Sequence, residues 1–208
     1  RRHMLPRSAK ARGMTHPDRS GAATSQDEGV VAAYLHRPPY PDALYDRLLE
    51  LMPARNAVLD LGCGPGKIAR ALAPHVGAVL ALDPSAAMLR MGQALDGRAR
   101  SNIRWRLGAA EDVPLDDAAF DLAVAGAAIH WMDPAIVFPR LARALAPGAR
   151  LALVDGDAPS AAPWQGAYQQ VIVAWVERLG RTWNDPAHLA LVEAHEAWFD
   201  VEGEESFA

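Results

Sequence analysis

The 208 residues are half apolar and include one cysteine, Cys63; that is enough for one sizeable core with an appendage, excludes an internal disulfide and points to a reducing, cytoplasmic setting. The formal charge of −4 is uneven: Arg1, Arg2, Arg7, Lys10, Arg12 and Arg19 face only Asp18 in the first twenty residues, leaving 15 basic and 24 acidic residues in the remainder. An acidic body argues against a nucleic-acid partner, and the absence of any run of eighteen apolar residues argues against a membrane-spanning helix.

Residues 1–25 are poor in apolar side chains and lack the hydrophobic stretch of a secretory signal, so a disordered or tag-like tail is expected there, with Met14 a candidate native start. Two N-terminal helices are expected over 26–56. In the first, Val30, Val31, Tyr34 and Leu35 recur at helical spacing until Arg37-Pro38-Pro39-Tyr40-Pro41 stops it. The second spans Asp42 to Met52, with Leu44, Leu48 and Leu51 on one face.

The next stretch is Val58-Leu59-Asp60-Leu61-Gly62-Cys63-Gly64-Pro65-Gly66, an apolar run leading into three glycines spaced two apart. It predicts a buried strand, a loop whose backbone can approach a ligand, and then a helix over Lys67 to Ala73. A nucleotide-like ligand fits over such a helix start at the carboxyl end of a parallel sheet. A phosphate-binding P-loop would need glycine at Leu61 and Ser or Thr at Ile68, and a dinucleotide fingerprint would need glycine at Lys67. The residues resemble motif I of the class I S-adenosylmethionine-dependent methyltransferases, in which an apolar strand and an Asp precede GxGxG. The resemblance implies an α/β, Rossmann-like, open and mainly parallel sheet with helices on both faces, occupying residues 57–156. It also implies S-adenosyl-L-methionine as methyl donor and S-adenosyl-L-homocysteine as product. Asp60, Gly62, Cys63, Gly64 and Gly66 are then cofactor-binding positions, with Cys63 a small residue rather than a reactive thiol. Tyr34 and Arg37 fall where an aromatic or basic residue of the family folds over the cofactor, although both can equally pack or solvate a helix end.

A second strand, Gly77 to Leu82, ends in Asp83, about twenty residues beyond the first glycine. There a carboxylate can accept both ribose hydroxyl hydrogens; Ser85 is a helix cap. Pro84 and Met88 join the implied cofactor wall. Ile103, Trp105 and Leu107 alternate in a third strand over Asn102 to Leu107. The resemblance places the adenine against the following Ala110, Glu111 and Asp112, with either acid near the exocyclic amine. Phe120 and Asp121, at the start of the fourth strand, are expected to be structural.

That strand opens at Gly126, another cofactor position, into Ala127-Ala128-Ile129-His130-Trp131-Met132, the substrate side. Asp133 is expected to cap the next helix and Pro134 to begin it. Imidazole has an unperturbed pKa near neutrality, so His130 is the candidate catalytic base, or else a wall of the pocket. The helix Ala135 to Ala146, with Ile136, Leu141 and Leu145 inward, precedes a fifth strand, Arg150 to Asp155.

Residues 157–208 are expected to form a helical cover, from about Pro163 to Leu179 and from Pro186 to Phe199, rich in Trp, and then to begin a sixth strand at Val201. His188 and His195 lie seven apart without a third ligand, so no metal is expected. The family normally ends in a sixth strand and an antiparallel seventh, and no sequence remains for the seventh, so a shortened chain or a departure from the pattern is expected.

The Asn/Asp-Pro-Pro-aromatic motif of base-amine methylation is absent after the fourth strand, and Cys63 is misplaced for pyrimidine-carbon chemistry. The expected function is therefore methyl transfer to a small-molecule acceptor, through a hydroxyl or carboxylate oxygen. A nicotinamide-dependent reductase and a non-catalytic S-adenosylmethionine-binding partner protein are the alternatives.

Overall fold

The computed structural model describes residues 31, 33–97, 102–155, 163, 165–178, 198–200 and 202–207. The expected tail over 1–25 and the expected helix from Pro186 lie outside these, apart from the latter's end at Trp198 and Phe199. Five strands, β1 (Ala57–Leu61), β2 (Ala78–Asp83), β3 (Ile103–Leu107), β4 (Phe120–Gly126) and β5 (Leu145–Val154), pair in parallel in the order β3-β2-β1-β4-β5. The helices are α1 (Asp42–Glu50), α2 (Lys67–Leu72), α3 (Ala86–Asp96), α4 (Pro134–Ala144) and α5 (Gln165–Arg178).

Strand alternation builds two cores. Val58, Val79, Leu122 and Val124 pack on one face with Leu44, Leu48 and Leu49 of α1, Ile68 and Leu72 of α2, and Leu89 of α3. Leu59, Leu61, Ala123 and Ala125 point the other way, onto Val137, Phe138, Leu141 and Ala144 of α4. The α/β reading therefore holds: a Rossmann-like parallel sheet with helices on both faces. The chain winds outward from β1 to β3 and then returns to place β4 beside β1, so the loops after β1 and β4 flank the switch point where open sheets take ligands.

Several details differ from expectation. The inward face of α4 uses Val137 and Phe138, while Ile136 is 43 % exposed, because the buried positions follow the spacing of Leu141 and Ala144 instead. Leu145 opens β5 and does not close the helix; pairing with β4 breaks between Phe120 and Leu122 and becomes regular from Arg150. Leu107, which alternates with Ile103 and Trp105, is 56 % exposed at the carboxyl end of β3.

Residues 202–207 form no strand. Side chains hold this segment in place of a ladder: Glu202 accepts from Arg150 at 2.6 Å, Glu205 pairs with Arg47 at 2.6 Å, and Phe207 packs against the core beneath α1. Just before it, Phe199 meets the ring of Phe138 edge-on at 5.8 Å. Among the described residues no helix is long and apolar enough to cross a membrane.

Candidate cofactor and acceptor site

The glycine loop is built by its backbone. Gly62, Gly64 and Gly66 have φ of 61°, 53° and 72°, in the left-handed region that side chains resist. A Cβ on Gly62 would lie 2.5 Å from the Ala128 Cβ, so the loop after β1 and the loop after β4 touch there. A Cβ on Gly66 would strike the Trp105 ring at 2.3 Å, and the same ring would meet a Cβ on Gly92 at 2.5 Å. The Trp105 indole thus wedges between the loop and α3, a role beyond its expected place in strand alternation.

Two buried carboxylates hold the loop. Asp60, 1 % exposed, accepts the Ala69 amide at 2.9 Å. That amide is one of the unpaired donors in the first turn of α2, whose N-cap, Gly66, has no side chain to offer. Asp60, expected at the cofactor, is therefore directed into the protein. Burial, reinforced by the charge of Asp83 and opposed by the Ala69 bond, pushes its carboxyl up to about 7. Asp83, 7 % exposed, accepts the Gly64 amide at 2.8 Å through Oδ2 and the Ser85 amide at 2.7 Å through Oδ1. Burial raises its pKa, and the two amides counter the rise. Each oxygen retains a second acceptor position, which is what a vicinal diol needs.

Cys63 is buried, its Sγ 3.5 Å from the Gly64 carbonyl oxygen, and burial holds the thiol well above its ordinary pKa. This is an inert small residue, as expected. Ser85 caps α3 through the Met88 amide, and Met88 is 2 % exposed; Pro84 is exposed. Gly126 has a packing reason of its own, since a Cβ there would sit 2.8 Å from Ile68 Cδ1 and 3.0 Å from the Tyr40 hydroxyl.

Tyr34 forms a 3-10 turn with its neighbours and lies over the loop, Cε1 4.0 Å from where a Gly64 Cβ would be. The Arg37 guanidinium stacks 4.5 Å from the Tyr34 ring centroid. Lys67, which contributed only a failed glycine match in the sequence, fastens this segment: its Nζ donates to the Arg37 carbonyl at 2.9 Å and the Pro38 carbonyl at 2.7 Å.

On the far side of the switch point, Ala110 is buried and Asp112 is exposed. Glu111 accepts the Asp133 amide at 2.9 Å, and Arg140 donates to the Ala110 carbonyl at 3.2 Å and to the Val113 carbonyl. His130 is exposed in the 3-10 turn Ile129–Trp131, its ring 4.8 Å from that of Trp131, which is 52 % exposed. Asp121, as expected, is structural: 6 % exposed, it accepts the Asn56 and Ala57 amides at 2.8 and 3.1 Å and fixes the start of β1 to β4. Among the described residues no group of three or more metal-ligating side chains converges; His188 and His195 lie outside them.

Residues 59–153 match the family described as the methyltransferase domain. An uncharacterized methyltransferase of Mycobacterium tuberculosis is 38 % identical over 152 residues, 73 % of this chain and 56 % of that protein. A malonyl-[acyl-carrier protein] O-methyltransferase of Alcanivorax borkumensis is 36 % identical over 169 residues, 80 % of this chain and 55 % of that protein. A solved structure from Anaeromyxobacter dehalogenans, proposed to be a type II methyltransferase, superposes with a TM-score of 0.56 at 32 % identity, covering 68 % of this chain and 59 % of that one. The chain spans about half the length of the curated relatives it matches. Residues 59–153, with a glycine loop at the β1/β4 switch point and a buried carboxylate ending β2, form a methyltransferase domain of the class I, S-adenosylmethionine-dependent type.

Proposed function

We propose that the chain moves the methyl group of S-adenosyl-L-methionine to an oxygen of a small-molecule acceptor. The observation that carries this reading is Asp83: a buried carboxylate fixed by the Gly64 and Ser85 amides, with both oxygens still able to accept, beside a glycine loop that is tightly turned at its base. In this reading Asp83 takes the two ribose hydroxyls, the 62–66 loop lies under the amino-acid portion, and Tyr34 closes over it. Ala110 and the exposed Asp112 face the adenine.

When bound, the cofactor supplies a methyl on a sulfonium whose thioether leaving group needs no acid. The chain's own task is then alignment and exclusion of water. His130, carried on the loop that touches Gly62 through Ala128, is the group that accepts the proton of a hydroxyl acceptor. An oxygen acceptor is also what the name of the Alcanivorax borkumensis relative states for that protein.

Thermal denaturation with S-adenosylmethionine, S-adenosylhomocysteine and the nicotinamide dinucleotides tests the cofactor half. Stabilisation by the sulfur compounds is expected, and stabilisation by a nicotinamide dinucleotide alone overturns it. Labelled-methyl transfer to a panel of hydroxy acids, carboxylic acids, amines and activated carbon acids tests the acceptor half, and labelling of nitrogen or carbon acceptors only contradicts the oxygen reading.

A further inference from the structure

We infer that Glu111 is a positioning residue of the acceptor loop and not a ligand of the adenine. The inference rests on the site proposed above and takes Glu111 out of the adenine positions expected from the sequence. Helix α4 begins with Asp133 as N-cap, whose carboxylate accepts the Ala135 amide at 3.0 Å. In a capping box, the third residue of the helix is a Glu or Gln that reaches back to the N-cap amide, so that two donors are satisfied reciprocally. Here that third position is Ile136, 43 % exposed and unable to accept. Glu111, twenty-two positions earlier on the β3–β4 connection, accepts the Asp133 amide at 2.9 Å instead. The second half of the capping box thus comes from another segment, and two carboxylates meet the positive end of α4.

Arg140, on the same helix, completes the attachment by donating to the carbonyls of Ala110 and Val113. The 110–113 connection is thereby fixed to α4 at three points. Only two residues, Trp131 and Met132, separate Asp133 from His130, and the turn they complete is closed by the Trp131 amide on the Ala128 carbonyl and the Met132 amide on the Ile129 carbonyl. Glu111 therefore fixes the C-terminal end of the turn that presents His130 and Trp131. Asp112, exposed next to it, is the acid left to face the adenine.

The test separates the two roles with Glu111→Ala, Glu111→Gln and the wild type, using amide hydrogen exchange of the 127–135 segment and calorimetry with S-adenosylhomocysteine. Loss of a charge-assisted bond at a helix cap is expected to speed exchange of the Asp133 amide about 10- to 100-fold in Glu111→Ala. Glu111→Gln, which still accepts, is expected to restore slow exchange. Cofactor affinity is expected to stay within about two-fold of wild type in both variants, because the carboxylate points to α4. A Glu111→Ala variant that loses affinity while keeping slow exchange at Asp133 overturns the inference. If Glu111→Ala does not fold, the wild type decides: an Asp133 amide exchanging as fast as an exposed loop amide overturns it as well. Absence of any S-adenosylhomocysteine binding by the wild type would instead defeat the cofactor reading and leave the exchange result to judge Glu111 alone.

Discussion

Replacing Gly62 with alanine should damage the protein through two separable effects. The residue sits at φ 61°, where a Cβ costs about 1–2 kcal/mol. The new methyl would also lie 2.5 Å from the Ala128 Cβ, and neither atom can rotate away because both are fixed to backbone. Overpacking of this kind costs about 1–3 kcal/mol, so Gly62→Ala should lose about 2–5 kcal/mol in total. Ala128→Gly alone should lose about 1–2 kcal/mol, from a buried methyl and added chain freedom. In the double variant the contact disappears while the dihedral strain remains, so it should be more stable than the sum of the singles by about 1–3 kcal/mol. Urea denaturation followed by circular dichroism measures all four proteins. Additivity within about 0.5 kcal/mol would refute the claim that the two loops press on each other at this point.

Burial of Asp60 sets a pH dependence. Its carboxyl rises from 3.8 to about 7 on folding, so between those values the native state binds more protons than the unfolded chain. Stability from this group is then complete below about pH 4 and declines by up to about 4 kcal/mol as pH rises through 7. Asp60→Asn keeps an acceptor for the Ala69 amide and should lack that decline; identical pH profiles for the two proteins would contradict the assignment. Cys63 should react with a thiol reagent only as fast as the protein unfolds, because its thiol is buried and stays protonated; fast modification of the native protein would show an open loop. His130→Ala should slow single-turnover transfer to a hydroxyl acceptor about 10²- to 10⁴-fold at saturating substrate, and an unchanged rate removes the base.

What could be read from the sequence was local in the chain. The strand running into GxGxG, the position of Asp83 at the end of the next strand, the caps at Ser85 and Asp133 and the structural Asp121 all depend on spacing within one supersecondary unit, and the fold places each where that spacing puts it. What was hidden depends on distant partners. Nothing near Asp60 says that its side chain turns to α2, because that follows from which sheet face position 60 occupies in register with Val58. The bond from Glu111 to Asp133 crosses from one connection to another, and no pattern links the two. Gly92, a glycine inside an otherwise helical run, was the one available sign that a bulky group such as Trp105 presses against α3. Residues 202–207, where a sixth strand was expected to continue, form no strand and instead pair with Arg47 and Arg150, contacts that no local pattern encodes.

The most direct test of the account is calorimetric titration of the wild type and Asp83→Ala with S-adenosylhomocysteine, with circular dichroism confirming that both are folded. Losing a carboxylate that accepts two hydroxyl bonds should weaken binding at least about 10- to 100-fold. Wild-type binding that survives the substitution intact would contradict the placement of the ribose on Asp83 and, with it, the site built around the glycine loop.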